Sequence, residues 1–140
     1  MRLSKRSEYG IRAMRQLAAQ EPGQLISLRE IADKENIPIK FLEQIFLSLK
    51  NTGLLHSKSG RGGGYYLGKP AGDIYLGQIV RTLDGPLAPI NCVSETAYEP
   101  CDCPDEDQCG LRLIMLDVRN AIAGILDNAS LADMLDRLEK

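Results

Sequence analysis

One histidine, His56, is all the imidazole in this chain of 140 residues. A Ser/His/Asp or Cys/His catalytic set needs a base beside its nucleophile, and a lone histidine in a strand-like stretch supplies none. The composition therefore argues against an enzyme and against a small-molecule substrate. No apolar run approaches the roughly 20 residues of a membrane span, and the opening MRLSKRSEYGIRAM lacks the apolar core of a signal peptide. A cytoplasmic protein with no membrane partner is the expectation. Cysteine is missing everywhere except between residues 92 and 109, which removes any disulfide framework spanning the fold. That same stretch has no Lys or Arg. There is no internal repeat and no low-complexity tract.

What remains is concentrated. Cys92, Cys101, Cys103 and Cys109 form a C-x8-C-x-C-x5-C pattern, accompanied by Glu95, Glu99, Asp102, Asp105, Glu106 and Asp107. In a reducing compartment clustered cysteines bind metal or do redox chemistry more often than they form structural disulfides. The spacing lacks the two C-x2-4-C knuckles that structural zinc takes. The acids read as solvating residues rather than ligands, and their charge is expected to hold the loop off a polyanion.

The net charge of -2 conceals a division. Residues 1–70 carry twelve Lys/Arg against six Asp/Glu, whereas residues 71–140 carry five against thirteen. The cationic half points to a polyanionic partner.

Apolar spacing predicts a helix over residues 7–20, ended by Glu21-Pro22-Gly23. Ser27 followed by Glu30 reads as a capping box for a short helix ending near Asn36. Pro38 suits the first turn of a third helix running to about Asn51, with Leu42, Ile45, Phe46 and Leu49 on its inner face and Gly53 after it. Two short helices joined by a tight turn, with a helix before them, are a helix-turn-helix pattern. The second would be the recognition helix, with Lys40, Phe41, Glu43, Gln44 and Lys50 as DNA-contacting candidates. Two strands, 54–57 and 65–67, then flank the loop Ser59-Gly60-Arg61-Gly62-Gly63-Gly64. This is a hairpin wing in which Ser59, Arg61 and Gly62 can reach phosphates or a minor groove; a bland flexible hairpin is the competing reading. A helix over 74–83 leads to the cysteine loop. A longer one over 110–127 follows, with Leu111, Met115, Val118, Ile122 and Ile125 stepping by 4, 3, 4 and 3. That seam fits a dimer interface, or else simple core packing. A last helix is expected over 131–138.

With FLEQIFLSLKNTGLL and SGRGGGYYLGK in view, the chain resembles the IscR/NsrR-like family of winged helix-turn-helix iron–sulfur transcription regulators, over nearly its whole length. The resemblance implies a mainly α fold: a winged helix-turn-helix DNA-binding region at 1–70 with a β-hairpin wing, a connecting helix and linker at 71–91, a cluster-binding loop at 92–109, and a long dimerisation helix with a C-terminal helix at 110–140. It further implies a homodimer on near-palindromic double-stranded promoter DNA and an iron–sulfur cluster, [2Fe-2S] favoured over [4Fe-4S], whose state controls DNA binding.

Three departures bear on that expectation. The family's usual three cysteines follow C-x5-C-x5-C, whereas here Cys103 and Cys109 keep the second interval, Cys92 lies further off, and Cys101 is additional. The wing's usual arginine is replaced by Ser59, with Arg61 two residues on. Where some members place a histidine ligand three residues after the last cysteine, this chain has Arg112, which cannot ligate. The fourth ligand is then either Cys101, completing an all-cysteine set, or Glu8 reaching from the first helix of the partner subunit. Glu8 also suits a plain first-turn acid. A metal-free thiol/disulfide switch on the same DNA-binding scaffold is the alternative function.

Overall fold

The computed structural model describes residues 2–138; position 1 of the expected DNA-binding region and positions 139–140 of the expected C-terminal region lie outside it. Six α-helices and one antiparallel hairpin make up the described residues. They are α1 Lys5–Ala18, α2 Leu28–Glu35, α3 Ile39–Asn51, β1 Leu55–Lys58, β2 Gly64–Leu67, α4 Leu76–Asp84, α5 Gly110–Leu126 and α6 Leu131–Leu138. None of these helices is long and apolar enough to cross a membrane.

The first helix starts two residues before the expected Ser7 because Ser4, not Ser7, caps it: the Ser7 N–H donates to Ser4 Oγ at 3.1 Å. The Ser4 hydroxyl in turn donates to Asp84 at the end of α4, tying two helix ends together. Ser27 caps α2 as expected, accepting from the Glu30 N–H at 3.1 Å. Glu30 does not complete the box; its carboxylate lies 3.4 Å from Lys34 Nζ, one turn on. Asn36, at φ 53°, ends α2 in the left-handed region that Asn tolerates.

The hairpin pairs Leu55 with Leu67 and Lys58 with Gly64. Ile26 adds an isolated bridge on the other side of β2, exchanging two backbone hydrogen bonds with Tyr65 at 2.9 and 3.2 Å. Gly64 explains the closeness: a Cβ there would lie 2.6 Å from the Ile26 carbonyl oxygen. Tyr65 then sets its ring edge-on to Phe46 of α3, with centroids 4.9 Å apart. The wing is thereby anchored to the helix-turn-helix rather than dangling from it.

One core unites these parts. Met14, Ile31, Leu42, Ile45, Phe46, Leu49 and Leu55 are fully buried with Ile74, Ile79 and Leu131. The last three come from the connecting segment, α4 and α6. Ile74 is extended rather than helical, because its carbonyl accepts from the Leu131 N–H at 2.9 Å and Tyr75 bridges Ser130. This short pairing, together with the Arg81–Asp127 ion pair at 2.5 Å, brings the turn after α5 back onto the DNA-binding core. Gly10 of α1 lets α4 approach, since a Cβ there would collide with Leu83.

Candidate nucleic-acid interface and cysteine loop

The outer face of α3 follows from its inner one. With Leu42, Ile45, Phe46 and Leu49 committed to the core, helical geometry turns Lys40, Glu43, Gln44 and Lys50 outward, and all four are exposed. Phe41 is half-buried and packs edge-on against Tyr9 with centroids 5.5 Å apart, so its first role is to hold α3 against α1. Arg6 reinforces that contact by donating to Ser48 Oγ at 2.8 Å. Ser59, Arg61 and Gly62 are exposed at the wing tip, and Gly60 and Gly62 take positive φ of 96° and 77°. The structure therefore presents every candidate DNA residue except Phe41 on an accessible surface of the cationic half.

Sequence reasoning missed two residues here. Leu47 sits among the polar residues of the outer face at 55% exposure; periodicity tends to assign any leucine to the core. Glu35 is buried on α2, where it receives Arg15 Nη2 at 2.9 Å, Arg12 Nε at 3.2 Å and the Gln16 amide. Burial by itself would raise the Glu35 pKa, but these donors outweigh it and hold the carboxyl below its ordinary value. This network fixes α2 to α1.

The cysteine loop is built against α5. Cys92 is buried in a 3-10 turn, Asn91–Val93. Asn91 closes the first half of the loop by donating to the Glu99 carboxylate at 3.1 Å, and its carbonyl accepts from the Glu99 N–H at 3.2 Å. Cys109 is the N-cap of α5, its sulfur accepting from the Arg112 N–H at 3.4 Å. That donor, at a helix N-terminus, draws the Cys109 thiol below its ordinary pKa. Cys103 moves the opposite way, pushed up to about 12 chiefly by hydrogen bonding with the thiols of Cys101 and Cys109. Burial likewise raises the Cys92 thiol, with the Cys101 thiolate adding to the shift.

Cys103 and Cys109 Sγ are 3.8 Å apart. Two thiolates on one tetrahedral metal, each about 2.3 Å from it, lie roughly 3.8 Å apart. Among the described residues no three His, Cys, Asp or Glu side chains converge on a single-ion site. A polynuclear iron–sulfur group does not require such convergence, because its thiolates bind different irons. Four cysteines in one loop are the donor type that an iron–sulfur group takes. Glu8 is exposed on the first turn of α1, 3.5 Å from Lys5, which is its one charged contact among the described residues. His56 is exposed on β1 against Tyr66.

The acids of the loop do more than solvate it. Glu95 reaches Arg119 of α5 at 2.6 Å, and Glu106 lies 2.9 Å from Arg112 while accepting from the Tyr98 hydroxyl at 2.5 Å. Carboxylates on either side of Cys101 and Cys103 therefore strap the loop to one helix. The loop and α5 meet across the inner side of that helix, and its outer side is left bare. No residue of α5 is buried, and Leu111, Ile114 and Ile125 are 59, 61 and 69% exposed.

Comparison with known proteins places this arrangement. Residues 3–137 match the profile of the family described as "Rrf2: Iron-dependent Transcriptional regulator". An rrf2-like HTH-type transcriptional regulator of Rhodobacter capsulatus is 36% identical over 137 residues, covering 95% of this chain and 91% of that protein. The structure of CymR, the global cysteine regulator of B. subtilis, superposes with a TM-score of 0.82 at 30% identity, covering 98% of each chain. That of T. potens IscR superposes with a TM-score of 0.78 at 29% identity over 99% of this chain and 88% of the other. The chain belongs to the Rrf2 family of winged-helix DNA-binding transcription regulators, which are not enzymes.

Proposed function

We propose that the protein is a cytoplasmic, homodimeric regulator that reads promoter DNA with α3 and the wing and senses redox, iron–sulfur or nitric oxide status through an iron–sulfur cluster, [2Fe-2S] in preference to [4Fe-4S], on the cysteine loop. The observation that carries this reading is the pairing of two thiols at the N-terminus of α5, Cys103 and Cys109 at metal-sharing distance, 3.8 Å, in a loop that holds all four cysteines of the chain. Cys92, Cys103 and Cys109 would hold the group, with either Cys101 or Glu8 of the partner subunit as the fourth ligand. A bound cluster supplies reversible one-electron chemistry and a lability to oxidants that side chains lack. The chain's own part is mechanical. Arg112 and Arg119 hold the loop on α5, and the exposed seam of α5 suits pairing with a second copy, as a helix-turn-helix reading two half-sites requires. At the DNA, Lys40, Lys50 and Arg61 supply phosphate or groove contacts, Glu43 and Gln44 face base edges, and Ser59 and Gly62 bring backbone close to the duplex.

Protein purified without oxygen should be coloured, show iron–sulfur absorption and Mössbauer signals, and shift a palindromic promoter fragment with an affinity that changes on cluster loss. Cys103→Ser should abolish the spectrum. Of Cys101→Ser and Glu8→Ala, the one that alters it names the fourth ligand. A protein that stays colourless after reconstitution with iron and sulfide rejects the cluster reading.

The same 3.8 Å separation favours a second reading, because two reduced thiols at that distance need little movement to pair. A metal-free switch would then lose its response to oxidant in Cys103→Ser and Cys109→Ser, and iron would have no effect on DNA affinity.

A further inference from the structure

Between Leu3 and Tyr98 the described residues contain one large apolar side chain that is exposed, Leu47, at 55%. It stands on the polar face of α3, three residues after Gln44, four after Glu43 and seven after Lys40, so these side chains line one strip of the helix. Every other apolar residue of α3 is buried or half-buried: Ile39 and Phe41 pack at the edge of the core, and Leu42, Ile45, Phe46 and Leu49 lie within it. The core does not use Leu47. In a strip of Lys, Glu and Gln aimed at a polyanion, an apolar side chain has one complementary feature to meet. The major groove offers hydrogen-bonding base edges and a single apolar group, the C5-methyl of thymine.

We infer that Leu47 is a specificity-determining residue that contacts a thymine methyl group in each operator half-site. This rests on the reading of α3 as the recognition helix. Gln44 and Glu43 supply the hydrogen-bonding part of the readout, and Leu47, one turn further along, extends it to a position read by shape and apolar contact. Neither the charge pattern of the strip nor its hydrogen-bonding capacity specifies that position.

The test uses the full-length dimer. Its preferred operator is first selected from random duplexes, and each thymine is then replaced by deoxyuridine, which removes only the methyl group. Burying one methyl contributes about fourfold in affinity, so two half-sites together contribute about fifteenfold. One thymine per half-site should show that loss with the wild-type protein. Leu47→Ala should bind the thymine operator about fifteenfold more weakly than wild type and should no longer distinguish thymine from deoxyuridine there. Leu47 is exposed, so this variant should melt as wild type does, and the deoxyuridine scan does not depend on any variant folding. A selected operator with no methyl-sensitive thymine overturns the inference, as does methyl sensitivity that survives in Leu47→Ala. Failure to select any operator would overturn the recognition-helix reading and the inference with it. Full DNA affinity in Leu47→Ala would assign the residue to a protein contact instead.

Discussion

Two helices in this chain carry nearly the same apolar pattern and are covered differently. In α3, Leu42, Ile45, Phe46 and Leu49 are completely buried. In α5, Leu111, Met115, Val118, Ile122 and Ile125 form a longer seam, and not one residue is buried within the chain. Periodicity states which face of a helix wants cover and is silent on what provides it. For α3 the cover is α1, α2, the hairpin and α4. For α5 the inner side meets the cysteine loop through arginines, and the seam is left for something outside the chain. The proposed function assigns that cover to a second copy, as a helix-turn-helix reading two half-sites would use.

The largest expected effect separates the two helices by energy. Phe46→Ala should cost about 4 kcal/mol in urea denaturation, the typical loss for deleting a buried aromatic ring. The loss should not depend on protein concentration, since Phe46 is buried within one chain. Should it vanish on raising the concentration, α3 too would take its cover from outside the chain.

Ile125→Asp is the counterpart on α5. Ile125 is 69% exposed in the single chain, so the chain should still fold. A charge at the most exposed position of the helix seam should weaken self-association by about 3 kcal/mol, or roughly a hundredfold and more. Sedimentation equilibrium should show a monomer under conditions where the proposed wild-type dimer holds together. A variant that remains dimeric would put the interface elsewhere.

The same contrast shows what a sequence can and cannot disclose. The helix-turn-helix was legible because its signals are local: Ser27 before α2, Asn36 after it, Pro38 at the start of α3. The single bridge between Ile26 and Tyr65 was not, since one residue pairing across thirty-nine positions leaves no alternation to read. Leu131 in the core was equally hidden, because its helix looks amphipathic whatever it packs on. In the cysteine loop the spacing of Cys103 and Cys109 announced a pair. The straps from Glu95 to Arg119 and from Glu106 to Arg112 could not be announced, because surface acids and helix arginines are common and only the fold decides which meet. Charge read by composition made the loop's acids a solvating fringe, whereas two of them are fasteners.

Glu35 is the third test, and it concerns the energetic cost of polar burial inside the well-covered half. Glu35→Gln should destabilise by about 2 kcal/mol at neutral pH, because Arg12 and Arg15 lose the charge of a buried acceptor. The sign of the pH dependence follows from the lowered folded pKa. A carboxyl held below its ordinary value of 4.5 contributes stability that is present above that pH and is lost as pH falls through the folded pKa. Wild type should therefore lose stability below about pH 4.5 more steeply than Glu35→Gln, and the two urea midpoints should converge in acid. Parallel curves would mean that Glu35 contributes by packing alone.

The smallest effect lies in the loop, where Glu106→Gln should barely move global stability, by about 0.5 kcal/mol, as expected for a partly exposed ion pair. Its consequence should be local. Glu106 joins Tyr98, before the last three cysteines, to Arg112, whose own N–H donates to the capping sulfur of Cys109. Glutamine keeps the shape and an acceptor for Tyr98 but gives up the charge that faces Arg112. Loop opening should become several-fold more frequent, which amide hydrogen exchange over residues 98–109 would report while the amides of α3 keep wild-type protection. If exchange in α3 rises in step with the loop, the loop is not a separately opening unit strapped to α5, and the well-covered α3 and the loosely fastened cysteine loop open together.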